Sequence, residues 1–175
     1  SRIIEIEGSQ PEELVVNWAK ILCDALQYLH CQHPPIIYRD MKPNNIILTP
    51  TGSIKLIDFG IAREYKENSI SDTTILGTPG YAPPEQYGGQ GQTDQRTDIF
   101  SLGATLYYLL TGHVPIESPH EISPIKQWNP NLSLGLESII EKCIQHNPDN
   151  RYQSCKELLY DLDNYKEICF YCYKR

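Results

Sequence analysis

The segment Asp98 to Leu110 places Ile99, Phe100, Leu102, Leu106, Tyr107, Leu109 and Leu110 nearly all round a helical wheel. A helix that is apolar on every side has to be surrounded by protein. The segment is therefore expected to be a buried central helix, stopped at Thr111-Gly112, with the rest of the chain wrapped around it. Asp98 at its start adds a second constraint. A carboxylate carried into a core is costly unless donors meet it; the plainer alternative is an acid that only complements the helix dipole.

Three other segments have the pattern of helices that could cover such a core. Ser9-Gln10-Pro11-Glu12-Glu13 reads as a helix start, with a capping serine, a proline in the first turn and two acids at the positive end of the dipole. From there Leu14, Trp18, Ile21, Leu22, Ala25, Leu26 and Leu29 follow the three-and-four spacing of one buried face, to about His30. Trp18 is expected in the core, and His30 and His33, before Pro34-Pro35, as capping or surface residues. Ser133 to Asn147 and Ser154 to about Tyr165 are the other two. Ile46-Ile47-Leu48 and Ile54-Lys55-Leu56-Ile57, separated by Thr49-Pro50-Thr51-Gly52, read as a hairpin. With 175 residues and 40% hydrophobic content the chain suits one domain with its own core.

The residues that carry chemistry flank this hairpin. Tyr38-Arg39-Asp40-Met41-Lys42-Pro43-Asn44-Asn45 and Asp58-Phe59-Gly60 supply two acids, an amide and a lysine. Transfer of a γ-phosphoryl group needs metal ions to neutralise charge and a group that orients the attacking hydroxyl. Asp40 suits acceptance of the hydroxyl proton, Lys42 suits the transferred phosphate, and Asn45 and Asp58 offer the hard oxygen ligands that Mg²⁺ prefers. Asp40 and Asn45 are five positions apart on one loop, and Asp58 lies thirteen after Asn45, so the hairpin would bring it back beside them.

These motifs resemble the C-terminal lobe of a eukaryotic-like, bacterial-type serine/threonine protein kinase. The HRDxxxxN pattern is similar to Tyr38-Arg39-Asp40 through Asn45, and DFG stands intact as Asp58-Phe59-Gly60. Gly77-Thr78-Pro79-Gly80-Tyr81-Ala82-Pro83-Pro84-Glu85, Asp98 to Gly103, and Asn147-Pro148-Asp149-Asn150-Arg151 follow in the family's order. The resemblance implies a mainly α fold: a helical C-terminal lobe over residues 1–168 with a small β-hairpin at the catalytic loop, the N-terminal β lobe being absent, and a tail over 169–175. It implies catalytic roles for Asp40, Lys42 and Thr78, ATP contacts from Lys42, Asn45, Ile47 and Asp58, and Mg²⁺ ligation by Asn45 and Asp58. Lys42 and Thr78 together resemble the serine/threonine rather than the tyrosine branch, so protein serine or threonine is the implied substrate.

The resemblance also implies supporting roles. Asp98 should accept hydrogen bonds from the catalytic-loop backbone, and Glu85 should pair with Arg151. Two departures stand out: Tyr38 replaces the usual His, keeping a stack on Phe59 with its polar atom farther out, and Pro83 replaces the alanine of Ala-Pro-Glu. Arg39 directly before Asp40 resembles kinases switched by phosphorylation of the activation segment, here Asp58 to Glu85, with Thr73 and Thr74 as the expected sites.

The remaining features narrow the partners. A net charge of -7 argues against nucleic acid, which is bound through Lys and Arg clusters. No apolar run approaches the ~20 residues of a membrane-spanning helix and no signal peptide is visible; a cytoplasmic domain is expected, with membrane attachment of the parent left open by the habits of bacterial relatives. The six cysteines lack zinc spacing, and Cys169-Phe170-Tyr171-Cys172 is a lone pair. Gly8 is the only glycine before Gly52, so no Gly-rich phosphate loop precedes the catalytic loop in these residues. Two expectations follow. The chain by itself is inactive, and Ile47 and Phe59 belong to an exposed apolar surface suited to self-association or an upper-lobe partner. The alternative function is a non-catalytic, kinase-derived protein-interaction module.

Overall fold

The computed structural model describes residues 9–65, 77–87, 92–118 and 121–168. Around the central segment the chain is mainly helical, with three two-stranded antiparallel sheets among the described residues. Helix α1 spans Glu12–His30, α2 Gln95–Thr111, α3 Leu134–Cys143 and α4 Cys155–Asp163. The strands are β1 (Ile36–Ile37), β2 (Ile46–Leu48), β3 (Ile54–Leu56), β4 (Arg63–Glu64), β5 (Ile116–Ser118) and β6 (Glu121–Ile122). No described helix is long and apolar enough to cross a membrane.

Helix α2 is the centre, as its composition requires: every residue from Thr97 to Thr111 except Tyr108 is buried. Asp94 caps its start by accepting the Arg96 N–H, and Gly112 ends it with a left-handed φ of 78°, a conformation that costs glycine nothing. Helix α1 packs on both α2 and α4, and α3 crosses α2. That crossing is close because Gly103 has no side chain: a Cβ there would stand 2.4 Å from the Cβ of Cys143. Ser133 and Ser154 cap α3 and α4 through the N–H groups of Leu136 and Glu157.

Helix α1 departs from expectation in two ways. Ser9 does not cap it; the helix begins behind Pro11 with no side-chain cap, and Glu12 instead accepts the N–H of Ser133, tying its first turn to the start of α3. Its inward face is Val15, Val16, Trp18, Ala19, Leu22, Cys23 and Leu26, whereas Leu14 and Ile21 are 37% and 42% exposed. The period is helical as expected, but the buried stripe is rotated from Leu14 and Ile21 toward Val15, Val16, Ala19 and Cys23. Helices α3 and α4 are shorter than their sequence patterns, ending at Cys143 and Asp163.

The expected hairpin forms, with Ile46 opposite Leu56 and Leu48 opposite Ile54. Its turn closes through Thr49 N–H to Ser53 O (2.7 Å) and Gly52 N–H to Thr49 O (3.0 Å), with Gly52 at φ 80°. Strand β1 pairs with β4, so the loop leaving β1 and the chain following β3 share one edge. The residues with catalytic chemistry lie in that loop and that stretch.

Candidate active site

Arg39 and Asp58 are the two non-glycine residues at positive φ among those described, 68° and 63°. Left-handed backbone crowds the Cβ against the following carbonyl, so each position has to be held from outside. Asp98 holds the first. Fully buried, it accepts the N–H of Tyr38 on Oδ2 (2.9 Å) and the N–H of Arg39 on Oδ1 (2.7 Å). His30 completes its shell, with Nε2 2.7 Å from Oδ2. The expectation of His30 as a cap or surface residue is therefore corrected: it is 8% exposed, and its other ring nitrogen faces the Cys155 thiol at 3.6 Å.

Tyr38 holds the second. Its ring meets Phe59 edge-on, centroids 5.3 Å apart, and its hydroxyl donates to the carbonyl of Ile57, one residue before Asp58. Burial is the main cause that raises this phenol well above its ordinary pKa, so it stays a donor. The polar atom that tyrosine carries farther out than histidine thus reaches the backbone next to Asp58.

With both loops fixed, four side chains converge. Asp40 accepts the Thr78 hydroxyl on Oδ1 (2.9 Å) and the Asn45 amide on Oδ2 (2.8 Å). The Lys42 ammonium is 2.8 Å from Asp40 Oδ2 and donates to Thr78 Oγ1, also 2.8 Å away. Asp40, Lys42 and Thr78 therefore form a closed triangle in which the hydroxyl of one segment bridges the acid and base of another. Asn45 also donates to the Asp40 carbonyl, so its amide nitrogen faces Asp40 and its oxygen is directed away from that carboxylate. The backbone bond from Ile57 N–H to Asn45 O (2.9 Å) brings Asp58 alongside.

The donor set would suit Mg²⁺: Asn45, at the end of the 3-10 turn before β2, and Asp58, two residues after β3, offer hard oxygens, and the Gly60 N–H takes only Oδ1 of the exposed Asp58. No cluster of three or more His, Cys, Asp or Glu able to hold a metal occurs among the described residues.

Ile47 and Phe59 are 47% and 51% exposed, beside this constellation. Arg39 is 5% exposed and donates from Nε to the Ile61 carbonyl (3.0 Å). Thr73 and Thr74 lie outside the described residues, as do Cys169 and Cys172. Glu85 and Arg151 meet in a bidentate pair, Oε1 to Nη1 2.6 Å and Oε2 to Nη2 3.0 Å.

The model of the protein kinase domain family matches residues 1–161. This chain belongs to the protein kinase family. Its sequence is of the bacterial serine/threonine type: it is 37% identical to a probable serine/threonine-protein kinase of Clostridium perfringens over 94% of this chain and 25% of that relative. The serine/threonine-protein kinase PknB of Mycobacterium leprae is 35% identical, covering 91% of this chain and 27% of its own length. The chain spans about a quarter of the length of the curated relatives it matches.

Sequence reasoning missed two residues of this kinase site, His30 and Gln86. Gln86 is 5% exposed and donates from Nε2 to the Arg39 carbonyl (2.9 Å). Their partners lie 68 and 47 positions away, beyond the reach of any spacing rule. The available signal was Asp98 itself: a buried carboxylate needs more donors than two backbone amides supply.

Proposed function

We propose that residues 1–168 are the C-terminal lobe of a serine/threonine protein kinase, with 169–175 a tail, and that the whole protein transfers the γ-phosphoryl group of ATP to serine or threonine of protein substrates. The Asp40–Lys42–Thr78 triangle is the observation that carries this reading. A substrate hydroxyl placed at Asp40 passes its proton to the carboxylate as its oxygen attacks the γ-phosphorus and the bond from that phosphorus to the bridging oxygen breaks, releasing ADP, while Lys42 sets a point charge beside the transferred group. Thr78 ties the substrate-docking segment to that carboxylate, so docking and proton acceptance share one geometry. Mg²⁺ on Asn45 and Asp58 would neutralise phosphate charge. ATP places the domain on the cytoplasmic side of the cell.

Positioning supplies most of the rate in phosphoryl transfer. No Gly-rich phosphate loop stands ahead of the catalytic loop in residues 1–37, so the chain alone is expected to give no measurable transfer. The test uses the whole protein with Mg-ATP and a generic Ser/Thr substrate. Asp40→Asn should lower kcat by about 10²–10⁴-fold, the range for a lost general base. Transfer that survives this change refutes the assignment. Binding of a partner without transfer by the wild-type protein would select the interaction-module reading, which the exposed Ile47 and Phe59 favour.

A further inference from the structure

Building on the kinase reading, we infer that Gln86 is a positioning residue for Asp40, acting through the carbonyl of Arg39. The left-handed Arg39 is gripped at both ends of its residue. Asp98 holds its N–H at 2.7 Å, and the Gln86 amide holds its C=O at 2.9 Å. The two grips are not equivalent. The Arg39 carbonyl and the Asp40 nitrogen belong to one planar peptide unit, so the bond from Gln86 sets the plane from which the Asp40 side chain departs. Asp98 acts one peptide earlier.

Gln86 is itself well fixed. It closes the short 3-10 turn Pro84–Gln86, its own N–H bonds the Pro83 carbonyl at 3.0 Å, and its neighbour Glu85 is locked to Arg151. Gly77 packs directly against it: a Cβ at that glycine would lie 3.4 Å from Gln86 Nε2 and 2.6 Å from the Cβ of Ala82. The amide thus links the end of the activation segment to the proton acceptor by a route separate from Thr78. It has to donate. A carboxylate of the same shape would face the Arg39 carbonyl with oxygen against oxygen, and an apolar side chain would leave that carbonyl without this donor.

A purely structural polar residue would lower stability and nothing more. The two roles separate in the whole protein carrying Gln86→Glu or Gln86→Met, both close in size to glutamine. Steady-state kinetics with Mg-ATP and a Ser/Thr peptide would be read with hydrogen exchange over residues 37–41. The expected result is a kcat lower by about 10- to 100-fold, as for a small misplacement of a reacting group. KM for ATP should stay within about twofold and exchange over 37–41 should be roughly tenfold faster, with α2 protected as in wild type. A Gln86→Met protein with kcat within about twofold of wild type overturns the inference. So does a kcat loss that only tracks the folded fraction, with exchange over 37–41 unchanged. If the wild-type protein transfers no phosphate, the kinase reading fails, and exchange alone decides: faster exchange in both variants supports the clamp and unchanged exchange rejects it.

Discussion

Cutting the bond between Glu85 and Arg151 should be among the most costly single changes this domain can suffer. The Arg151 side chain is fully buried and all five of its N–H donors have acceptors. Nε reaches the Gln145 carbonyl (2.7 Å), Nη1 reaches Glu85 (2.6 Å) and the Arg96 carbonyl (3.1 Å), and Nη2 reaches Glu85 (3.0 Å) and the His146 carbonyl (2.9 Å). Glu85, whose side chain is 12% exposed, also accepts the Thr97 hydroxyl at 3.1 Å. Glu85→Ala removes the one carboxylate that the described residues place on the guanidinium and leaves it with three carbonyls and the face of Phe100, 4.8 Å from the ring centroid. Breaking a buried pair by deleting one partner costs about 3–5 kcal/mol. With a urea m-value of about 2 kcal/mol/M, the midpoint should fall by roughly 1.5–2.5 M at unchanged m. The double variant Glu85→Ala/Arg151→Met should cost less than the sum of the single ones, because the second change removes the stranded charge. A loss below about 1 kcal/mol for Glu85→Ala, the range of exposed pairs, would refute the reasoning.

Asp98→Asn should cost about 2–4 kcal/mol, since an amide turns one donor toward the N–H groups of Tyr38, Arg39 and the ring of His30; a denaturation midpoint equal to wild type would contradict this. Ile47 and Phe59, both about half exposed, should make the isolated chain self-associate. Ile47→Glu should reduce that in sedimentation, and a strict monomer at high concentration would count against it. Phosphate on Thr73 or Thr74 should pair with Arg39 and raise activity. Mass spectrometry of the whole protein showing no phosphate between Asp58 and Glu85, with Thr73→Ala/Thr74→Ala fully active, would reject the switch.

The parts of this fold that were legible in the sequence are those whose cause is local. Helix α2 could be recognised because its apolar side chains leave no face for water, and the hairpin because a Pro-Gly turn separates two branched runs. Asp40, Lys42 and Asn45 sit on one loop, so spacing alone brings them together, and the hairpin returns Asp58 to them. The buried face of α1 was harder: Leu14 and Val15 are equally apolar to a pattern, and only the neighbours decide that Val15 packs while Leu14 meets solvent.

His30 and Gln86, which escaped detection, share a physical origin with Asp98 and Tyr38, which the motifs marked. Backbone at φ 68° and 63° on Arg39 and Asp58 is uncommon for residues with side chains, and although the Gly60 N–H bonds Asp58 Oδ1 locally, most of the support is not local. The stabilising groups have to arrive from other elements: Asp98 from the first turn of α2, His30 from the last turn of α1, Gln86 from the 3-10 turn behind Glu85, and the Tyr38 hydroxyl across to Ile57. Each is a polar side chain drawn into the core, where its desolvation has to be offset by good hydrogen bonds. A conflict between local propensity and adopted backbone is therefore a pointer to nonlocal support, and here two such conflicts lie within or next to the residues that carry the chemistry. That is why Gln86, which no motif marks, belongs with the catalytic loop: removing its donor should first be felt at Asp40, and only secondarily in the stability of the domain.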